Sequence, residues 1–326
     1  MKRVAQVLFC GLALAFTIMA GASAQTQSWP DGPVKIIVTF GAGGTADILG
    51  RIIAAELSQE YKQQFYVENK VGGGGIVGST EAFKAEPDGY TLMIAGAGPQ
   101  LVNPALNPNV AYQTMRDFTH IAMIAGDSYI LAVSPSLGVK TFKEFLAATR
   151  DKPSIACGSP GAGTQGELLQ HIINSKTGSK LQPIAFRSAA DAVNALFGDH
   201  ILAAMQPSIS LGEYVKANKV VGLAVTSRER IAAYPDIPTL TELGYDVEGG
   251  ASWFWLAGPN KLPADIVARL NASVRRIVAS DRIREQFARS ALITVDLDQK
   301  ATTSFIADEV KLWASVAKDN PLPPQP

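Results

Sequence analysis

The sequence has few of the residues from which disulfide-rich, metal-binding or strongly charged proteins are built. Its 326 residues include two cysteines and three histidines, and 29 basic side chains are balanced by 29 acidic ones. The zero net charge argues against a nucleic-acid partner, because no excess of cations is available to neutralise phosphates. The 47% apolar content excludes a disordered chain, and the length allows two domains with cores of their own.

The scarce histidines and cysteines also provide no metal-binding or catalytic set. The three histidines are isolated, with no second histidine or cysteine at ligand spacing, and each is predicted to be a surface or core residue. Cys157 ends an apolar strand and is predicted to be a small buried side chain. Ser159 does not lie in the G-x-S-x-G elbow of a hydrolase. The sequence therefore predicts no metal site, no cofactor and no enzymatic activity.

Long apolar runs are absent except at the amino terminus. Lys2 and Arg3 precede an apolar run from Val4 to Ala20, and small residues occupy positions 22–24. This pattern predicts a secretory signal peptide, residues 1–24, that is cleaved after Ala24. A membrane anchor is the alternative, but a run of about 17 residues is at the short limit for crossing a bilayer. We expect a periplasmic protein whose mature chain does not insert into the membrane.

Cleavage changes both the charge and the cysteine count. Removing 24 of 326 residues leaves 302, with 27 basic and 29 acidic side chains and a net charge of −2. Cys157 would be the one cysteine left, so the mature chain could form no internal disulfide. An exported chain of this kind depends on large hydrophobic cores for its stability.

Short apolar runs alternate with helical patterns along the mature chain. Strands are predicted at 34–40, 65–68, 90–95, 129–133, 155–157, 181–186, 201–205, 220–225 and 253–257. Helices are predicted at 48–57, 76–85, 141–150, 164–176, 189–197, 211–217, 263–279, 282–290 and 302–317. This order predicts two α/β lobes with parallel strands and right-handed crossovers. A crevice between the carboxyl ends of their strands is where ligands collect in such folds.

Glycine, by contrast, is abundant, and the 29 glycines cluster where predicted strands give way to helices, at 41–44, 72–78 and 158–163. Glycine lets the backbone approach a ligand closely, and the helix that follows presents free N–H groups that suit an anion. Thr164 with Glu167 is predicted to form a capping box, and Ser188 with Asp191 a second one.

Two other interpretations of the glycine loops stay open. The glycines either serve tight turns alone, or their G-x-G-x-x-G matches mark a dinucleotide site. Glu68, which ends the second strand, would then be the ribose-binding acid. Three such matches in one glycine-rich chain show how unspecific the pattern is.

Several motifs follow one another in a specific order from Trp29 to about Lys318. They are Trp-Pro at 29–30, Phe-Gly-Ala-Gly-Gly-Thr-Ala-Asp at 40–47, Val-Glu-Asn-Lys at 67–70, Pro-Asp-Gly-Tyr-Thr-Leu at 87–92, Asn-Pro-Ala-Leu at 103–106, Gly-Ala-Gly-Thr at 161–164, Leu-Ala-Val-Thr-Ser at 223–227 and Pro-Asp-Ile-Pro-Thr at 235–239. In this order and spacing they resemble the Bug receptors, the periplasmic solute-binding proteins of tripartite tricarboxylate transporters. The second motif is close to that family's F-x-P-G-G-x-x-D.

The resemblance implies an α/β periplasmic-binding-protein (Venus-flytrap) fold, in which two α/β lobes joined by two crossing strands close on a small carboxylate. Lobe 1 would comprise residues 25–127 plus 253–326, and lobe 2 residues 128–252, with crossings near 127–133 and 250–256. The implied partners are membrane transporter subunits, and a monomer is expected. A receptor that presents the carboxylate to a membrane sensor kinase is the alternative, and an exported dinucleotide-binding oxidoreductase is a further one.

The same resemblance implies the residues of a carboxylate site, with backbone amides and ordered waters doing most of the binding. The residues carried over from the family are Gly43, Gly44, Thr45 and Asp47 in the first glycine loop, Ala97 and Gly98 after the third strand, and Gly163 and Thr164 in the opposite lobe.

Departures from the family pattern predict the ligand class. The family's P-Y-K-G is replaced by Ala-Phe-Arg-Ser at 185–188, and its M-F-D-N by Ala-Met-Gln-Pro at 204–207. Phe186 makes that wall more apolar, and Arg187 either reaches a second carboxylate bidentately or stays solvated at the rim. Ser188 and Ser210 complete the predicted site. The loss of one acid and one hydroxyl favours a di- or aromatic carboxylate over an amino acid.

Overall fold

The computed structural model describes residues 29–321, so the predicted signal peptide and its cleavage site lie outside the described residues. The strands are β1 (Val34–Val38), β2 (Phe65–Asn69), β3 (Thr91–Gly96), β4 (Phe118–Val133), β5 (Ile155–Ser159), β6 (Leu181–Ala185), β7 (Ala203–Pro207), β8 (Val221–Val225) and β9 (Ala251–Pro259). The helices are α1 (Thr45–Tyr61), α2 (Ile76–Lys84), α3 (Asn103–Leu106), α4 (Thr114–Asp117), α5 (Phe142–Arg150), α6 (Gln165–Thr177), α7 (Ala189–Phe197), α8 (Ser208–Lys216), α9 (Ala264–Ala279), α10 (Asp281–Arg289) and α11 (Gln299–Asp319).

The first half of the sheet is built from parallel strands with an antiparallel extension. β1 lies between β2 and β3 and pairs with both in parallel, as the strand–helix–strand order predicts. β9 then pairs antiparallel with β3, and β4 pairs antiparallel with β9. Helix α1 lies close to this sheet because Gly50 faces it: a Cβ at that position would lie 3.0 Å from Val38 Cγ2. The core on this side is therefore tightly packed.

Strand β4 connects the two halves of the sheet. Its residues from Phe118 to Ser128 pair with β9, whereas Tyr129 to Val133 pair with β7 and β8. On the far side β5 pairs in parallel with β6 and β7. The change of partner between Ser128 and Tyr129 falls near one predicted crossing, and the lobe boundaries themselves stay a prediction.

The sequence-based prediction of β4 was wrong about its start. The strand begins at Phe118 rather than near Tyr129 and is buried along nearly its whole length. Its first part contains threonine, histidine, glycine and aspartate, which interrupt the apolar run that marks a buried strand. Two register shifts, between His120 and Ala122 and between Met123 and Ala125, bend it further away from a regular pattern.

His120, predicted to be a surface or core residue, and Cys157, predicted to be buried, both lie in the core. His120 is buried, and its Nδ1 accepts a hydrogen bond of 3.0 Å from Trp255 Nε1. Burial lowers the pKa of His120 to about 4, so the imidazole is neutral at physiological pH. Cys157 is fully buried, and burial raises the pKa of its thiol. Neither is placed for surface chemistry.

The described residues contain neither a helix of membrane-spanning character nor a cluster of metal ligands. Between residues 29 and 321, no helix combines the length and the apolar character that a membrane crossing requires. Over the same range, no group of three or more His, Cys, Asp or Glu side chains is arranged to hold a metal ion.

Candidate functional site

Helix ends surround a cavity between the two halves of the sheet. The cavity has a volume of about 40 Å³. The lining residues are Phe40, Gly41, Gly44, Thr45, Ala46, Gly96, Gly98, Pro99, Tyr129, Pro160, Thr164, Ser188, Ala189, Pro207, Ser252 and Phe254. The first residues of α1 and α7 and the residues just before α6 and α8 all belong to this wall. The cavity therefore lies at the crevice that the sequence predicts.

Loops from the two sides approach each other closely around the cavity. A Cβ at Gly41, before α1, would lie 3.2 Å from the Cβ of Ser188, before α7. A Cβ at Gly98, after β3, would lie 4.0 Å from the backbone nitrogen of Gln165, the first residue of α6. These distances describe a closed arrangement in which the two sides enclose a narrow space.

The first glycine loop presents the amino-terminal end of α1 to the cavity. Gly43 has a φ of +83°, which favours glycine, and Gly44 is the extended N-cap residue. No side chain among residues 29–321 caps this helix. The amides of its first turn have no intrahelical acceptors, so they are available to an anion.

Asp47 holds this loop in place and does not line the cavity. Its Oδ2 accepts hydrogen bonds from the Gly43 amide (3.1 Å) and Arg51 Nε (3.0 Å), and its Oδ1 accepts one from Asn69 Nδ2 (3.0 Å). Burial raises the pKa of Asp47, but the bonds from Arg51, Asn69 and Gly43 outweigh it and lower the pKa overall. The carboxylate is thus ionised and committed to the loop.

The loop before α6 repeats this construction on the opposite side. Gly163, with a φ of +68°, donates its amide hydrogen to Glu167 Oε2 at 2.6 Å, just as Gly43 donates to Asp47. Thr164 is buried and lines the cavity, while Gly163 lies outside the lining and faces the Asn103 side chain.

The capping box predicted for Thr164 and Glu167 was wrong. Thr164 Oγ1 donates to the Gly161 carbonyl oxygen at 2.7 Å, and no side chain of the described residues caps α6. Glu167 reaches Gly163 instead of the Thr164 amide. Both side chains have competing partners nearby. The amide of the positive-φ Gly163 is a competing donor for Glu167, and the Gly161 carbonyl is a competing acceptor for Thr164. The first-turn amides of α6 are therefore available, as in α1.

Of the capping box predicted for α7, one of the two hydrogen bonds is present. Ser188 Oγ accepts a hydrogen bond of 3.2 Å from the Asp191 amide, but the Asp191 carboxylate accepts from Ser188 Oγ instead of the Ser188 amide. Ser188 also lines the cavity. Its two predicted neighbours lie outside the lining. Phe186 packs against Gly158, and Arg187 is exposed to solvent.

The other predicted site residues are divided between the cavity and its surroundings. Gly98 lines the cavity, and Ala97 is buried behind it. Ser210, in the first turn of α8, has a buried Oγ without a hydrogen-bond partner among the described residues and lies outside the lining. The structure thus brings Gly44, Thr45, Gly98, Thr164 and Ser188 together around one cavity.

The floor of the cavity was not predicted from the sequence. Tyr129 on β4 and Ser252 and Phe254 on β9 line it. Burial raises the pKa of Tyr129, so its phenol stays protonated. The predicted crossings at 127–133 and 250–256 contain all three residues, and side chains at a crossing face the crevice between lobes. That position was the signal that could have identified them.

Asp127 was not predicted from the sequence either. It does not line the cavity but contacts the lining residue Thr45. It is fully buried on β4, and its Oδ2 accepts a hydrogen bond of 2.7 Å from Thr45 Oγ1. Its Oδ1 accepts bonds from Ser208 Oγ (2.6 Å) and the Ser208 amide (3.2 Å), so it caps α8. Burial raises the pKa of Asp127 to about 6, although the bonds from Ser208 and Thr45 act in the opposite direction.

The four helix ends therefore differ in what they can offer a ligand. Within residues 29–321, α7 and α8 have side-chain acceptors at their amino termini, whereas α1 and α6 have none. The cavity wall contains phenylalanine, proline and glycine but, in this part of the chain, neither lysine nor arginine. Such an arrangement suits a small anion with an apolar body, held by backbone amides.

A cavity enclosed by helix ends between two α/β halves, with a strand crossing from one half to the other, defines a two-lobed solute-binding protein. The family model described as "Tripartite tricarboxylate transporter family receptor" matches residues 49–322, and the chain belongs to this family. It is accordingly a solute-binding receptor of the periplasmic type, and the predicted family and fold are confirmed.

Individual relatives resemble the chain over most of its length. Protein BugT of Bordetella pertussis is 28% identical, and the match covers 93% of this chain and 94% of BugT. The structure of the periplasmic binding protein BugD is 25% identical with a TM-score of 0.84, covering 90% of this chain and 98% of BugD. An R. palustris protein solved with adipate is 27% identical with a TM-score of 0.86, covering 90% and 100% of the two chains.

Proposed function

We propose that the protein captures a small carboxylate between two lobes and delivers it to a tripartite tricarboxylate-type membrane transporter. The lobes are assigned to residues 25–127 plus 253–326 and to residues 128–252. The observation that carries the proposal is that two uncapped helix ends, those of α1 and α6, meet at one cavity from opposite sides of the β4 crossing.

The binding energy needed is within reach of this arrangement. Micromolar affinity requires about 8 kcal/mol. A hydrogen bond to a charged group contributes roughly 1.5–3 kcal/mol, and a helix end adds about 0.3–1 kcal/mol. Several amide contacts from α1 and α6, together with burial of an apolar ligand body against Phe40 and Phe254, supply that amount.

The cavity wall favours a di- or aromatic carboxylate as ligand. Its aromatic and proline side chains suit a hydrocarbon chain or a ring, and the wall carries no acidic side chain, within the described range, that would hold the ammonium group of an amino acid. The related R. palustris protein was solved with adipate, which supports a dicarboxylate. Arg187 is exposed outside the lining, so it would meet only a ligand that reaches the rim.

Delivery requires that the closed, loaded form differ from the empty one. A ligand that touches both α1 and α6 stabilises the closed form, because only that form offers both sets of amides. The membrane subunits would then recognise the closed surface and open it. We further propose that the chain reaches the periplasm through its signal peptide, cut after Ala24.

A thermal-shift screen against mono-, di- and tricarboxylates, aliphatic and aromatic, with glutamate and aspartate included, tests the proposed ligand class. A ligand at 100 times its Kd stabilises the protein by about 2.7 kcal/mol, which gives a clear rise in Tm. We expect di- or aromatic carboxylates to raise Tm. A response to glutamate or aspartate with none to any dicarboxylate would overturn the ligand class.

A bulky residue at Thr164 tests the location of the site. Thr164→Trp should abolish the ligand-induced shift, because the indole fills the cavity, while the same change at the exposed Thr241 should leave the shift intact. If Thr164→Trp does not fold, Gly98→Val serves the same purpose, since a Cβ at Gly98 has no contact shorter than 3.8 Å. If a folded Thr164→Trp or Gly98→Val variant shows the same ligand-induced rise in Tm as the wild type, the binding site does not lie in this cavity.

The proposed export is tested by mass spectrometry of the mature protein. The full-length chain expressed in a bacterial host should be recovered from the periplasmic fraction and begin at Gln25. Recovery of the intact chain from the cytoplasm would contradict the proposal.

A further inference from the structure

Asp127 is a buried carboxylate with no cation beside it. Its side chain is fully excluded from solvent in β4, where this strand changes partners from one half of the sheet to the other. Among residues 29–321, no lysine or arginine forms an ion pair with it. A carboxylate buried without a cation is costly, so the position calls for a physical explanation.

The hydrogen bonds of Asp127 come from helices on both sides of the crossing. Thr45, the first residue of α1, donates to Oδ2, and Ser208, the first residue of α8, donates to Oδ1. Thr45 also lines the cavity. A single threonine side chain therefore separates the Asp127 carboxylate from the space where the proposed ligand carboxylate would lie.

The titratable groups around Asp127 do not neutralise it. Tyr129 follows it on β4, and Tyr234 packs against Gly212 of α8. Burial raises the pKa of both phenols, that of Tyr234 to about 12, so both stay uncharged. The β9 residue opposite Asp127 is Ser252, which carries no charge.

The charged groups on the two helices are already paired. On α1, Asp47 forms an ion pair with Arg51 at 2.9 Å. On α8, Glu213 and Lys216 pair with each other at the surface, with 2.9 Å between the charged atoms. Within the described residues, ionised Asp127 is therefore stabilised by hydrogen bonds from hydroxyl and amide groups and by two helix ends.

We propose that Asp127 takes up a proton when the cavity binds a carboxylate, so that ligand and proton bind together. This inference rests on the proposed function. Two carboxylates enclosed in one low-dielectric site repel each other, and such pairs are stabilised by retaining one proton between them. Protonated Asp127 can still accept from Ser208 and can donate to Thr45 Oγ1, so the network survives the change.

The affinity should therefore depend on pH in a defined direction. The pKa of Asp127 in the empty protein is already raised to about 6 by burial, and a second negative charge raises it further. The complex then binds more protons than the empty protein at neutral pH. Consequently Kd increases with pH above about 6, by at most about tenfold per pH unit.

Calorimetric titration of the mature chain tests this coupling. Adipate, benzoate and phthalate serve as probes at about pH 7, where each is ionised, in two buffers with different ionisation enthalpies. Asp127→Asn keeps the geometry, since its carbonyl oxygen can accept from Ser208 and its amide can donate to Thr45. Glu309→Gln is the matched control, because Glu309 is a half-buried carboxylate on α11 whose pKa is also raised by burial and which lies outside the cavity lining.

The outcomes separate this inference from the proposed function. We expect the wild type and Glu309→Gln to take up a fraction of a proton, up to one, for each ligand bound, and Asp127→Asn to take up none. Binding without proton uptake, or equal uptake in wild type and Asp127→Asn, overturns the inference and leaves the proposed function standing. Failure of all three probes to bind at any pH overturns the proposed function and this inference with it.

Discussion

At the scale of single residues, the two uncapped helix ends are made in the same way. In each loop a glycine with positive φ, Gly43 or Gly163, donates its amide to an acid in the first turn of the helix, Asp47 or Glu167. The acid therefore fixes the loop instead of capping the helix. This construction leaves first-turn amides of both helices to the ligand.

Asp127 and Asp47 should affect stability in opposite ways as the pH changes. The pKa of Asp127 is raised from 3.8 to about 6, so folded Asp127 binds protons more tightly than unfolded Asp127. Stability from this group is present at low pH and is lost as the pH rises through that range, by about 3 kcal/mol at most. Asp47, whose pKa is lowered, contributes stability above its unfolded pKa that is lost on acidification.

Urea unfolding of Asp127→Asn and Asp47→Asn between about pH 3 and pH 7 measures both effects. As the pH rises, the free energy of unfolding of Asp127→Asn should increase relative to that of the wild type. That of Asp47→Asn should decrease relative to that of the wild type. Parallel pH profiles for wild type and Asp127→Asn would show that the buried carboxylate does not titrate as described.

At the scale of helices and strands, the glycine loops could be predicted from the sequence, whereas the first part of the crossing strand β4 could not. A strand followed by glycines and a helical pattern places a helix end at a crevice whatever the side chains are, and the resemblance to the Bug receptors identified Gly44, Thr45 and Thr164 within these loops. The hydrogen-bond partners of Thr164 depend on the φ of Gly163, which local sequence does not determine. Asp127 and Tyr129 belong to a long bulged strand whose pairing with β9 joins residues about 130 positions apart.

Helix α7 offers a direct test of capping. Ser188→Ala removes the acceptor for the Asp191 amide and should lower the free energy of unfolding by about 1 kcal/mol, whereas Ser188→Gly should cost only a few tenths. Urea denaturation at constant pH measures both. An equal loss in the two variants would assign the effect to the second bond of this hydroxyl, to Asp191 Oδ2, or to packing against Gly41.

At the scale of the whole molecule, the proposed capture of an anion needs no basic surface, although the mature chain predicted from the sequence is slightly acidic. In the proposed mechanism, the helix ends that face each other across the cavity supply the positive charge locally. Each side contributes one uncapped helix, so neither side alone forms the complete site. The proposed capture of the ligand is therefore expected to be linked to closure.

Small-angle X-ray scattering of the mature protein measures this link. Saturation with a carboxylate that raises Tm should reduce the radius of gyration, because the ligand stabilises the closed form. Thr164→Trp under the same conditions should show no ligand-dependent change. If the radius of gyration of the wild type is identical with and without ligand, ligand binding is not linked to closure.

The most direct test of capture by helix ends is a calorimetric titration of three proteins with the carboxylate found in the screen. Gly44 is the extended N-cap residue of α1, so Gly44→Asp places a carboxylate on the amides assigned to the ligand, and Gly44→Ala adds a methyl group without charge. We predict that Gly44→Asp weakens binding by about 100-fold or more with an unchanged or higher Tm, while Gly44→Ala binds much like the wild type. Binding of the carboxylate to Gly44→Asp with wild-type affinity would contradict the account.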